Sequence, residues 1–86
     1  MMNFEQVVSK LSTRGYRKSG ALIKDGFNIY DYSHNKRLGM FSVYVNNLGS
    51  VEYVEQSKIA WDNKERRNVI KTTKITGIKE LSSVLA

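Results

Sequence analysis

After Gly15 the hydrophobic pattern of this chain changes period, and that change confines it to a small set of folds. Before it, Phe4, Val7, Val8 and Leu11 recur at i, i+3, i+4 and i+7, the stripe of an amphipathic helix. The helix is expected over about residues 4–14. Asn3 suits its N-cap, Gln6 follows three residues on as in a capping box, and Gly15 supplies a left-handed stop.

From there the pattern alternates with period two. Runs at about 18–24 and 27–33 flank Asp25-Gly26, a two-residue hairpin turn. Phe27, Ile29 and Asp31 point one way; Asn28, Tyr30 and Tyr32 point the other. A polar turn, His34-Asn35-Lys36-Arg37, leads to a third strand at about 38–46. Phe41, Val43 and Val45 share one of its faces, Met40 and Tyr44 the other. After Asn46-Asn47-Leu48-Gly49 comes a fourth strand at about 50–56, with Val51 and Tyr53 on one side. Residues 57–68 read either as a strand extension or as a short helical turn followed by a charged loop. A β-branched run at about 68–75 is the fifth strand.

Ile78, Leu81, Val84 and Leu85 then form the apolar face of a second helix at about 77–85, capped by Thr76 or Gly77, with Glu80 in its first turn. So short a helix must dock to persist. The expected class is α+β: an N-terminal helix, a four- to five-stranded antiparallel meander sheet and a short C-terminal helix, in two layers and one domain, 1–86. Helices at both chain ends can cover one sheet face and leave the other open.

With no cysteine there is no disulfide or thiolate site, so the core must come from apolar side chains alone. The start of the chain lacks the basic head and apolar run of a signal peptide, and the longest strictly apolar runs are three residues. A cytoplasmic protein with no membrane span is expected.

No catalytic or cofactor chemistry is expected. The one histidine, His34, falls in a turn, where it reads as exposed. One His without Cys excludes the usual zinc sets, and no stretch has the acid spacing of a calcium loop. Gly15 and Gly20 lack the Gly-Lys-Ser/Thr of a phosphate loop. Glu52 and Glu55, three apart on a strand, face opposite sides and are poor acid–base partners.

The charge is more informative. The net charge is +6, and the segment from Lys58 to Lys79 holds seven basic residues against Asp62 and Glu65. Arg66-Arg67 sits at a turn that resembles the tip of a wing. The expected phosphate contacts are Lys64, Arg66, Arg67, Lys71 and Lys74, supported by Arg14, Arg17, Lys36 and Arg37. The plainer account is that lysines near a sheet edge oppose edge-to-edge aggregation and that charged turns are merely solvated.

Phe27 and Phe41 are expected in the core. Tyr30, Tyr32, Tyr44 and Tyr53 are expected to share the opposite, open face. Such a face serves base stacking, a protein interface or simple cross-strand packing.

The Arg14-Gly15-Tyr16 turn after a short helix, followed by a meander with Asn46-Asn47-Leu48-Gly49, resembles two kinds of small phage- or mobile-element-encoded protein. One is the wing-like DNA-binding domain of a phage transcription activator; the other is the compact inhibitor aimed at a host defence enzyme. The function expected first is a basic nucleic-acid-binding regulator. The alternative is a protein-binding module or inhibitor that uses the open sheet face and its basic rim on an acidic protein surface. Self-association through that face is a further expectation.

Overall fold

The computed structural model describes residues 2–86. Its elements run α1 (Phe4–Thr13), β1 (Arg17–Lys24), β2 (Phe27–His34), β3 (Arg37–Val45), β4 (Val51–Asp62), β5 (Arg67–Ile75) and α2 (Ile78–Leu85). The five strands form one antiparallel sheet in the order β1-β2-β3-β4-β5. The α+β meander framed by two helices is therefore present, with five strands.

The local signals explain the boundaries. Asn3 Oδ1 accepts the Gln6 amide at 3.1 Å, and Gly15 adopts φ +89° just past the end of α1. Arg17 Nη1 donates to the carbonyls of Ser12 and Tyr16 at 3.0 and 2.9 Å, so a guanidinium satisfies the last turn of α1. Asp25 and Gly26 both take positive φ, 53° and 82°, as a mirror-image hairpin turn requires. At α2, Gly77 is the N-cap without a side-chain bond, and the Glu80 carboxylate instead accepts the Thr76 amide at 3.1 Å.

The ambiguous stretch resolves as strand. β4 pairs with β5 in unbroken register from Val54↔Ile75 to Asp62↔Arg67. The last pair between β3 and β4 is Met40↔Ser57. Residues 58–62 and 67–71 thus form a two-stranded ribbon about 17 Å long, at about 3.4 Å per residue, that continues past the last β3–β4 pair, with Gly39 of β3 still close to Ser57 and Lys58 at its base. The molecule is correspondingly elongated, 43 × 29 × 22 Å.

Both helices lie on the same sheet face. Val7 and Leu11 of α1 and Leu81 and Leu85 of α2 are buried with Tyr32, Phe41, Val43, Val45, Val54 and Ile75. Met2 joins this core through an antiparallel bridge to Val51. Phe41 is in the core as expected. Phe27 is not: it sits half-buried on the opposite face, edge-on to Tyr44 and Tyr53.

Gly39 is a constraint that the strand pattern conceals. It adopts φ +96°, and a Cβ there would collide with the Ser57 carbonyl oxygen. Gly26 also has positive φ, but open space surrounds its Cβ position. Gly26→Ala is therefore expected to cost about 1–2 kcal/mol from backbone conformation alone. Gly39→Ala adds an overpacking term against rigid backbone and is expected to cost about 3 kcal/mol or more. Urea unfolding of the two variants checks the order; equal losses would show that β3 does not approach β4 this closely.

Candidate nucleic-acid interface

An antiparallel meander sends alternate turns to opposite ends of the sheet, and here that sorts the charges. One end gathers the start of β1, the β2–β3 turn, the ribbon tip and the C-terminal turns of both helices. Lys10, Arg14, Arg17, Lys18, Lys36 and Arg37 lie there on the body of the fold. Lys58, Lys64, Arg66, Arg67 and Lys71 lie there on the ribbon. These are eleven of the fourteen Lys and Arg, against only Asp62 and Glu65 of the eight carboxylates.

The far end carries Glu5, Asp25, Glu52 and Glu80 with Lys24 and Lys79. Asp31, Glu55 and Lys74 lie between, in one row across the sheet. The cations of residues 14–18 and those of the last third belong to opposite sheet edges, about 19 Å apart for four strand spacings. They nevertheless share one end. A hollow lined by Arg17, His34 and Lys36 adjoins another lined by Tyr16, Arg37 and Lys58.

The expected cations differ in how they are engaged. Arg67 pairs with Glu65 at 2.6 Å, and Arg17 is bonded to the end of α1. Lys74 lies on the open sheet face with its Nζ 4.3 Å from the Tyr53 ring centre, away from the basic end. Among the described residues, Arg14, Lys36, Arg37, Lys64, Arg66 and Lys71 have no ion pair.

Lys58 belongs with them and was not among the expected contacts, because its segment was ambiguous. It stands directly across from Lys71 on the ribbon. Like charges facing each other across a ladder are unfavourable by a few tenths of a kcal/mol up to about 1 kcal/mol, and a bound anion would relieve the repulsion. The ribbon turn is held by Asp62 Oδ1, which accepts the Lys64 and Glu65 amides at 2.8 and 3.2 Å.

The tyrosines divide between two environments, contrary to a shared open face. Tyr32 is 6% exposed within the core, and Tyr30 packs on that core with its ring 5.4 Å from Phe4. Only Tyr44 and Tyr53 lie on the open face, stacked at 4.3 Å. The reason is register. Tyr30 pairs with Val43 and Tyr32 with Phe41, and directly opposed residues share a face. A two-residue turn between β2 and β3 sets even positions of one strand against odd positions of the next, so the loop length carried this signal.

The open face therefore shows a row of Leu22, Ile29, Tyr44 and Tyr53, flanked by Phe27. Ile29 is buried within it, and Asp31 Oδ1 accepts the Ser42 hydroxyl at 2.7 Å in the next row.

His34 is half-buried rather than an exposed turn residue. Its Nδ1 accepts the Lys36 amide at 2.9 Å, its ring meets Tyr16 edge-on, and it lies against Gly15. It organises the β2–β3 turn that presents Lys36 and Arg37. The described residues hold no cluster of three or more His, Cys, Asp or Glu able to bind a metal. No helix among them is long and apolar enough to cross a membrane.

Two phenols titrate late. Burial, then the neighbouring Tyr30, raises Tyr32 above the usual 10.0. Burial, then Glu55 and Tyr53, raises Tyr44. Both groups stay neutral in the folded chain at pH values where the unfolded chain has begun to ionise. The stability these two phenols contribute is therefore fully present below about pH 10 and falls as pH rises beyond it. Absorbance titration should show Tyr32 and Tyr44 ionising at higher pH in the folded protein than in the urea-unfolded chain. A urea midpoint unchanged between about pH 9 and 11 would contradict this. Comparison of the chain with protein-family models, with curated proteins and with solved structures finds no match.

Proposed function

We propose that this protein binds nucleic acid through its basic end, with the β4–β5 ribbon as the projecting contact. The observation that carries the reading is the sorting of charge: most of the cations at one end, most of the carboxylates away from it. A field of that shape orients the molecule toward a polyanion and speeds encounter. Lys36 and Arg37 on one turn and Lys64 and Arg66 on another are spaced across the sheet end, so they reach separate phosphates rather than a single small anion.

A narrower observation favours protein contact as a second reading. The open-face aromatic group of Phe27, Tyr44 and Tyr53, with Lys74 beside it, has the composition of an interface anchor.

Fluorescence-anisotropy titration with labelled oligonucleotides tests the first reading. Neutralising about four phosphates lowers affinity by roughly 50-fold or more between about 50 and 200 mM salt. The double variant Lys64→Glu/Arg66→Glu should bind at least about tenfold more weakly and flatten that slope. The control Lys24→Glu/Lys79→Glu alters net charge equally at the far end and should change affinity far less. Equal losses in both variants would reduce the effect to net charge and remove the assigned site. Binding that a nuclease-treated lysate protein reproduces at the Phe27–Tyr44–Tyr53 face would favour the second reading instead.

A further inference from the structure

The ribbon has two unlike faces. By strand alternation Lys58, Arg67 and Lys71 project on the helix side, with Ala60 and Val69 between them. Ile59, Trp61 and Ile70 project on the other side, continuous with the open sheet face. No strand pairs with them on the β3 side, although Leu38 and Gly39 line a hollow together with Ile59, and each is exposed: 48%, 59% and 73%. Three large apolar side chains on a bare two-stranded ribbon are costly in water and form no core. An isolated ribbon is only marginally stable, so burying this face against a partner would also firm the ribbon itself.

Charge and chemistry together select the partner. Trp61 is one residue from the Asp62 turn that carries Lys64 and Arg66. The apolar ribbon face thus borders a cationic tip, which suits a polyanion that also offers flat apolar surface. Nucleobases have that surface, but a duplex hides it within the stack. Reading a duplex groove needs hydrogen-bonding side chains on base edges. On this face only Asn68 could supply one, whereas Ile59, Trp61 and Ile70 offer only contact area and a π-face.

We infer that the Ile59–Trp61–Ile70 face of the ribbon is a stacking platform for unpaired bases, so that the protein prefers single-stranded to double-stranded nucleic acid. The inference rests on the polyanion-binding reading and deepens it. The phosphates run to Lys64 and Arg66 at the tip while a base lies on the Trp61 indole. Aromatic stacking tolerates any base, so affinity should depend little on sequence.

Trp61 is the only tryptophan, so its fluorescence reports on this face directly. The intact chain is titrated with an oligothymidylate, an oligouridylate and a duplex of matched length, reading label anisotropy and tryptophan emission together. The two single strands should bind more tightly than the duplex and quench Trp61, and their relative affinities separate DNA from RNA. Trp61→Ala should weaken single-strand binding by about fivefold or more, with the salt slope unchanged, and Trp61→Phe should recover most of the loss. Circular dichroism confirms that the variants remain folded, as expected for a side chain this exposed.

Salt-dependent binding that leaves Trp61 emission unchanged, or an equal preference for duplex, overturns the stacking platform and leaves polyanion binding standing. An absence of binding to any oligonucleotide at low salt overturns both. Tryptophan emission that shifts on dilution of the protein alone would show a second copy covering this face, and would also overturn the inference.

Discussion

The seating of α1 and α2 on one face of the sheet is the contact from which the remaining features follow. Leu11, Leu81, Phe41, Val54 and Ile75 are fully buried where the two helices meet the sheet. Truncating any one of them to Ala would cost about 2–5 kcal/mol, a large part of the stability a chain this small can hold. Because the helices take that face, the row of Leu22, Ile29, Tyr44 and Tyr53 is left outside. The residues of β4 beyond Ser57 and those of β5 before Thr72 lie outside the core that the two helices cover.

Charge sorting is a second consequence of topology. In a meander, turns one and three open at one end and turns two and four at the other. Asp25 and Glu52 flank turns at the far end; Lys36, Arg37, Lys64 and Arg66 occupy those at the near end. Along the chain these residues look scattered, and in space they segregate. The near end is not uniformly free: Arg17 closes α1 and Arg67 pairs with Glu65, so those two hold the scaffold. The opposed Lys58 and Lys71 do the reverse, storing a small repulsion on the ribbon.

Much of the fold was legible because each element carried its own signal. The α1 stripe, the Asp25-Gly26 turn and the β-branched run of β5 are local features, and local propensity sufficed for them. Two errors have a common source. Assigning Tyr30 and Tyr32 to the open face and Phe27 to the core requires knowing which of two comparably apolar faces of β2 is covered. Periodicity within β2 cannot decide that. The register against β3 can, since it sets Tyr32 against Phe41. The ribbon was obscure for a different reason: Ile59, Ala60 and Trp61 have strand character only in company with Val69 and Ile70 across the ladder.

The sequence by itself determined the periods, the turns and the excess of positive charge, because hydrophobic spacing, left-handed turn residues and ionisable groups act over a few bonds. Tertiary structure alone decided which face of the sheet is buried, how far β4 and β5 outrun their neighbours, and that residues as distant as Arg14 and Arg66 share one end. Those outcomes depend on pairing between strands and on where the helices dock, and the free energy for both comes from burying side chains that lie far apart along the chain.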